Sequence, residues 1–273
     1  MADGERSRVA RAASERALVR VVHHYGACPE FVVLGGLVPE LLCAGSGWRH
    51  AGTTDVDVQV DLEVACGAVN TARLENALRN AEFEPDTERV WRWVADGTSV
   101  KTVVKFELLA DLESEPNGAT VRFDACDNLG AVNLRGTGFA SRDPVVQQLT
   151  AKIGGDLRTV EVNVNGLAGF LLAKSTAARS RRLAKDWYDV AFVLLHNDLG
   201  GVESAADAVR ARFEPDLVGA VRSRLRPADA DRPPGARRCR GRRRRCARRR
   251  GLPQPTVRSC LSRGGRGPDP SPA

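Results

Sequence analysis

The chain of 273 residues carries 41 Lys and Arg against 34 Asp and Glu, a formal charge of +7. Residues 227–273 contain 14 Arg, no Lys and 3 acids, whereas residues 1–226 contain 27 basic and 31 acidic residues. The basic character therefore belongs to the last 47 residues, and the net charge alone does not indicate that the acidic remainder binds nucleic acid.

The remaining composition is that of a globular protein outside the membrane. Hydrophobic residues make up 42% of the chain, enough for one full core. No apolar run approaches the roughly 18 residues that a membrane span needs, and the charged segment 1–20 lacks the apolar stretch of a signal peptide. Cys28, Cys43, Cys66 and Cys126 are far apart and form no C-x-x-C pair, which favours reduced thiols. We therefore expect a cytoplasmic protein with no membrane partner.

Hydrophobic periodicity predicts helices and strands in alternation, followed by helices alone. The predicted helices cover residues 7–25, 37–44, 68–81, 167–179, 184–196 and 202–213. The predicted strands cover residues 31–34, 55–62, 89–94, 102–110, 120–123 and 159–164, and those at 89–94 and 102–110 are expected to pair. This order predicts the α/β (α+β) class, with a small mixed sheet in residues 1–165 and a helical region in residues 166–226.

The tail, residues 227–273, contains almost no large apolar side chains and is predicted to be disordered. One interpretation is an arginine-rich arm that binds RNA through its excess of positive charge. The other is a frameshifted C-terminus, because a GC-rich coding sequence read out of register yields this mixture of Arg, Gly, Pro, Ala and Cys. We favour the second, since the composition changes abruptly after a predicted amphipathic helix at 217–225.

Two motifs in the predicted sheet carry the chemistry. Gly35-Gly36 ends a buried strand at the start of a helix, where exposed backbone N–H groups let a phosphate approach closely. Asp55 and Asp57 are two residues apart on the next strand, so both point to one face and Val56 to the other. Two neighbouring carboxylates repel each other unless a cation lies between them, and Mg²⁺ with substrate phosphates is the expected occupant.

These motifs resemble those of a known superfamily. The pattern from Gly35-Gly36 to His50-Ala-Gly-Thr-Thr-Asp-Val-Asp57 is similar to that of nucleotidyltransferases with a DNA polymerase β-like fold. A later segment, Leu172-Ala-Lys followed by Arg179 and by Lys-Asp-Trp-Tyr-Asp at 185–189, resembles the signature of the AbiEii-type toxin nucleotidyltransferases. The resemblance covers roughly residues 20–200, and it implies that the mixed sheet is a nucleotidyltransferase core whose active site the helical region completes.

The resemblance implies a role for each matching residue. Gly35 and Gly36 would cradle the nucleotide phosphates, Asp55 and Asp57 would bind Mg²⁺, and Lys174 would pair with triphosphate oxygens. Their spacing places Lys185, Asp186 and Asp189 on one helix face. The resemblance implies that they form a second polar cluster, which would help to bind the nucleotide.

A third carboxylate on a neighbouring strand is also expected. Glu107 is the first choice as a catalytic metal ligand and Asp111 the second, because both lie on one strand face and their spacing does not separate them. Arg49 is expected near phosphate, while His50 is expected to be a loop or packing residue and not a ligand.

The implied activity is Mg²⁺-dependent transfer of a nucleoside monophosphate from an NTP to an acceptor hydroxyl. The resemblance implies the toxin half of a toxin–antitoxin or abortive-infection pair, with tRNA or another cellular acceptor and an antitoxin encoded nearby. Two alternatives stay open: a nucleotidyltransferase that modifies a small molecule such as an antibiotic, and a catalytically degenerate regulator that binds nucleotides.

Overall fold

A mixed β-sheet organises the part of the chain that the computed structural model describes, residues 8–96 and 103–213. Its strands are, in chain order, β1 (Val32–Leu34), β2 (Asp55–Gln59), β3 (Glu84–Pro85), β4 (Arg92–Asp96), β5 (Val103–Ala110), β6 (Thr120–Arg122), β7 (Gly130–Asn133), β8 (Pro144–Ile153) and β9 (Asp156–Asn165). The order across the sheet is β3-β4-β5-β2-β1-β9-β8, while β7 pairs with β5 and β6 pairs with β7. The strand with the alternating acids, β2, is therefore central.

Helices occupy the start of the described chain, the segment between β1 and β2, the segment after β2 and the segment after β9. They are α1 (Arg8–Tyr25), α2 (Val38–Leu42), α3 (Asp61–Cys66), α4 (Ala68–Asn80), α5 (Leu167–Arg181), α6 (Ala184–His196) and α7 (Val202–Arg212). Short 3-10 turns cover Gly35–Leu37, Ala44–Ser46 and Thr137–Phe139. Within the described ranges no helix is long and apolar enough to cross a membrane.

The predicted fold class is confirmed, because a mixed sheet ends at Asn165 and helices follow it. The helix predicted at 184–196 has the bounds of α6, and the strands predicted at 89–94 and 102–110 pair as β4 and β5. The domain divisions at residues 165 and 226 stay predictions. The predicted helix at 217–225 and the tail at 227–273 lie outside the described residues.

One large element, the hairpin of β8 and β9, was only partly predicted. Its two strands have ten residues each, whereas the sequence pattern predicted a single strand at 159–164. Only Leu149 is buried in β8, so this strand lacks the apolar alternation that reveals a half-buried strand. Gly154 and Gly155, both at positive φ, form the two-residue turn, and a Gly-Gly pair of this kind is a hairpin signal.

The two faces of the central strands have different roles. Val56 and Val58 of β2 are fully buried and join Val33 and Phe106 in the main core, together with residues of α1 and α4. Since side chains alternate along a strand, Asp57 lies on the opposite face. The core pattern of β2 therefore directs its carboxylates to the second face of the sheet.

A substitution of Phe106, in β5, measures how much the core contributes to stability. Its ring lies 6.0 Å from Phe31 and 5.9 Å from Phe83, and its side chain is fully buried. Phe106→Ala should lower the free energy of unfolding by about 3–5 kcal/mol, because it leaves a cavity between the two remaining rings. Val103→Ala, at the exposed start of the same strand, should change it by less than about 1 kcal/mol. Urea unfolding measures both, and equal effects would contradict the described packing.

Candidate functional site

The Gly35-Gly36 turn lies directly against the acidic strand. Gly35 adopts φ +75°, and a Cβ at this position would lie 2.8 Å from the Asp57 Cγ atom. A Cβ at Gly36 would lie 2.8 Å from the Cβ of Thr53. Both glycines are thus required by close approach, and Gly35 also by its backbone conformation. The two motifs that the sequence separates by 18 residues are in contact.

Strand register brings the predicted carboxylates to one face. β2 and β5 are parallel, with Asp55 opposite Lys105 and Asp57 opposite Glu107. Because paired positions of neighbouring strands share a face, all three acids point to the same side of the sheet. Lys105 Nζ lies 3.6 Å from Asp55 Oδ1, which is buried and accepts no hydrogen bond within the described part of the chain.

Burial and the neighbouring charges on this face shift the pKa of Asp57. Its pKa is raised to about 7, first by burial and then by the negative charges of Glu107 and Asp55. Lys174 and Arg181 act in the opposite direction and favour the charged form. The carboxylates thus repel one another, and cations from the helical region compensate only part of that repulsion.

The structure separates Glu107 from Asp111, which the sequence could not do. Glu107 lies beside Asp57, and Arg92 Nε donates to its Oε1 atom at 2.6 Å. The Asp111 Oδ2 atom instead accepts from the backbone N–H groups of Gly136 at 2.7 Å and Gly138 at 3.1 Å. Asp111 therefore fixes the loop after β7, and Glu107 is the acid that joins the pair on β2.

A complete metal cage is not formed by these acids alone. Among residues 8–96 and 103–213, no group of three or more His, Cys, Asp or Glu side chains is arranged to hold a metal ion. Glu107 is ion-paired with Arg92, which occupies its Oε1 atom through both Nε and a terminal nitrogen. The donors left for a cation are the two carboxylates of β2 and the second oxygen of Glu107, which suit Mg²⁺ only when substrate oxygens complete its shell.

A buried network of charges joins α5 to α6. Lys174 Nζ lies 3.0 Å from Asp186 Oδ1 and 2.9 Å from Asp189 Oδ2, and both aspartates are fully buried. Arg181 contacts Asp186 Oδ1 at 2.9 Å, and His50 Nε2 lies 2.9 Å from Asp189 Oδ1. Each acid in the network has two partners, although both partners of Asp186 contact Oδ1 and its buried Oδ2 atom accepts no hydrogen bond from the described residues.

His50 is packed, as the sequence predicted, and it also has a polar role that the sequence did not indicate. The backbone N–H of Gly52 donates to its Nδ1 atom at 3.3 Å. A ring nitrogen that accepts leaves the other to carry the proton, so Nε2 donates to Asp189. This contact spans 139 residues of sequence, and no local pattern could have revealed it.

Lys185 takes no part in this buried network. Its side chain is exposed, whereas Asp186 and Asp189 are buried. Lys174 of α5 fills the position beside Asp189 that helical spacing assigned to Lys185. Arg181, in the last turn of α5, was not among the predicted residues, and its place in a basic helix end was its only sequence signal.

A cavity of about 120 Å³ collects part of the site. Its wall includes three sequence-predicted residues, Gly35, Asp57 and Lys174, and two further cations, Arg135 and Arg181. The remaining wall combines apolar side chains with neutral polar ones: Leu34, Leu109, Leu134, Phe170, Ala173, Ala177, Asn117, Thr137, Asn165 and Ser180. The wall therefore offers cations to an anionic group, and apolar and neutral polar side chains to the rest of a ligand.

Comparison with known proteins adds little to this geometry. No protein-family model matches the chain, and no curated protein matches it either. Among solved structures, the chain is similar to an antigenic nucleotidyltransferase-like protein from Paracoccidioides brasiliensis. The identity is 18%, the match covers 80% of this chain and 94% of that chain, and the TM-score is 0.41. A likeness of this size supports no statement about activity, which has to come from the site itself.

Lys174 and Lys185 form a matched pair for testing the buried network. Lys174→Met should lower the free energy of unfolding by about 3 kcal/mol, because it leaves Asp186 and Asp189 buried with only part of their compensation. Lys185→Met removes the same charge from an exposed position and should change stability by less than about 0.5 kcal/mol. Urea unfolding at pH 7 measures both variants. Similar losses for the two would show that the Lys174 ion pairs do not hold α5 against α6.

Asp57 should make the protein less stable as the pH rises. Its pKa is about 7 in the folded chain and 3.8 as the ordinary value, so the folded state retains a proton that the unfolded state loses between those limits. Asp57→Asn cannot ionise and should be more stable than the wild type at pH 8, with a smaller difference at pH 5. Urea unfolding in a buffer with a metal chelator tests this, and a difference independent of pH would contradict it.

Proposed function

We propose that the chain is a nucleotidyltransferase that transfers a nucleoside monophosphate from an NTP to an acceptor hydroxyl and releases pyrophosphate. One observation carries the proposal: Asp57 lies between Asp55 and Glu107 on one sheet face, against the Gly35 turn. The same carboxylate shares a cavity wall with Lys174. Acids beside a glycine turn, together with a facing cation, provide the groups that phosphoryl transfer needs.

The acids of β2 suit a hard divalent cation. Burial and then the negative charges of Glu107 and Asp55 raise the pKa of Asp57, and Asp55 Oδ1 is buried without a hydrogen bond from any described residue. Asp55 and Asp57 would hold Mg²⁺ together with oxygens of the substrate. When bound, the ion would neutralise charge on the nucleotide phosphates. Glu107 stays a proposed third ligand, which would require it to share its carboxylate with Arg92.

The other groups of the chain would bind and orient the reactants. The absence of a side chain at Gly35 lets a phosphate approach the backbone next to Asp57. Lys174 and Arg181 would draw the phosphates towards the cavity as fixed positive charges. Both Arg92 contacts go to Oε1 of Glu107, so the second oxygen is the candidate acceptor for the proton of the attacking hydroxyl.

The biological role rests on the sequence resemblance alone. That resemblance implies a toxin of the AbiEii type, with tRNA or another cellular acceptor and a partner antitoxin. We include this role in the proposal on the ground of that resemblance. A small-molecule acceptor would use the same acids and the same cations, so the nature of the acceptor must be measured.

Labelled nucleotide provides the decisive assay. The full chain, incubated with Mg²⁺, α-³²P-labelled NTPs and total tRNA, should label the RNA, and a chelator should abolish the label. Asp57→Asn should lower the rate by at least about 100-fold, because it removes a carboxylate from the reacting face. Asp156→Asn, the same substitution at an exposed hairpin position, serves as the matched control.

The outcomes separate the alternatives. An unchanged rate for Asp57→Asn would show that the acids of β2 are not the catalytic site. Pyrophosphate release in the presence of a small-molecule extract, without label in RNA, would favour an antibiotic-type acceptor. Nucleotide binding with no transfer to any acceptor would favour a regulator.

A further inference from the structure

The last residue of β9, Asn165, is a buried amide in the wall of the cavity. Its side chain is 1% exposed and lines the same cavity as Asp57 and Lys174. Neither its Oδ1 nor its Nδ2 atom has a hydrogen-bond partner among residues 8–96 and 103–213. Buried amides are almost always paired because an unpaired donor or acceptor destabilises the fold. An unpaired amide in a cavity wall is therefore a group that a ligand would satisfy.

Two other asparagines show that this chain pairs such groups elsewhere. Asn133 is fully buried, and its Nδ2 atom donates to three backbone carbonyls while its Oδ1 atom accepts from the N–H of Leu112. Asn163, two residues before Asn165 on β9, donates to the carbonyl of Pro29 at 2.8 Å. Unlike Asn165, neither of these asparagines lines the cavity.

The position of the Asn165 amide is fixed by its surroundings. A Cβ at Gly169 would overlap its Oδ1 atom, so the absence of a side chain in the first turn of α5 makes room for it. The Gly169 N–H donates to Asp143 Oδ2 at 2.8 Å, and the Gly166 N–H donates to the Asp143 carbonyl at 2.7 Å. Asp143 therefore holds the start of α5, the turn against which the Asn165 Oδ1 atom lies.

The cavity wall contains two kinds of side chain that a nucleotide could use. Lys174, Arg135 and Arg181 are the groups that would attract phosphate. Asn165 carries no charge and shares the wall with the apolar side chains Leu34 and Phe170. The side-chain amide of an asparagine presents a donor and an acceptor side by side. This pattern complements the hydrogen-bonding edge of a nucleobase.

We infer that Asn165 recognises the base of the bound nucleotide and sets which NTP the site prefers. This inference rests on the proposed function, since it assumes that an NTP enters the cavity. The phosphates bind at the cationic part of the wall, and the Oδ1 and Nδ2 atoms of Asn165 bond the base.

The test is equilibrium binding of ATP, GTP, CTP, UTP and inorganic triphosphate to the full chain with Mg²⁺. The wild type should prefer one base. Asn165→Leu should bind that NTP about 10-fold more weakly or worse and lose the preference, while its affinity for triphosphate is unchanged. Asn165→Asp keeps the volume but loses both donors, and should also lose the preference. Asn163→Leu, on the same strand and face, should retain it.

Each remaining outcome overturns the inference in a recognisable way. Retained preference in both Asn165 variants would show that another residue reads the base. An equal loss for all four NTPs, with triphosphate binding intact, would indicate that the amide contacts the ribose. An equal loss that includes triphosphate would indicate a structural role. If the wild type binds neither NTPs nor triphosphate, the proposed function fails as well.

Discussion

One side chain, Lys174, joins the packing of the helices to the electrostatics of the sheet. Its ammonium group lies within 3.0 Å of both Asp186 and Asp189, whose burial in α6 depends on that compensation. The same group favours the charged form of Asp57, whereas burial and two neighbouring acids favour the protonated form. Any anion that attracts Lys174 into the cavity therefore competes with the aspartates of α6. Arg181, which also contacts Asp186, can take over part of their compensation.

The core and the carboxylate face follow from one sequence pattern. Val56 and Val58 are buried on one side of β2, and the period of two then places Asp55 and Asp57 on the other. A register slip by one residue would place the acids in the core and the valines at the site, so the hydrophobic side specifies the polar one. A change in β2 that shifted its register would therefore disrupt the core and the candidate site together.

The sequence predicted the features that depend on neighbouring residues, and it did not predict the contacts between residues far apart along the chain. The Gly35 turn and the pair Asp55 and Asp57 are local patterns, and the sequence predicted their proximity through the order of strand, helix and strand. The assignment of Glu107 instead of Asp111 depends on the register between β2 and β5, which are separated by about 50 residues and have no turn to fix it. The contact from His50 to Asp189 depends on how α6 packs beside the loop before β2, and such packing has no signature in periodicity.

Two polar side chains in one cavity are unsatisfied in different ways, and together they restrict the ligand. Burial and the neighbouring acids raise the pKa of Asp57, and a bound cation would favour its charged form. Asn165 lacks a hydrogen-bond partner within the described chain, a deficit that a neutral donor or acceptor relieves and a cation does not. A free metal ion would satisfy the first and leave the second, whereas an apolar ligand would satisfy neither. The proposed metal-bound nucleotide would satisfy both, because its phosphates would accompany the cation and its base would offer donors and acceptors to the amide.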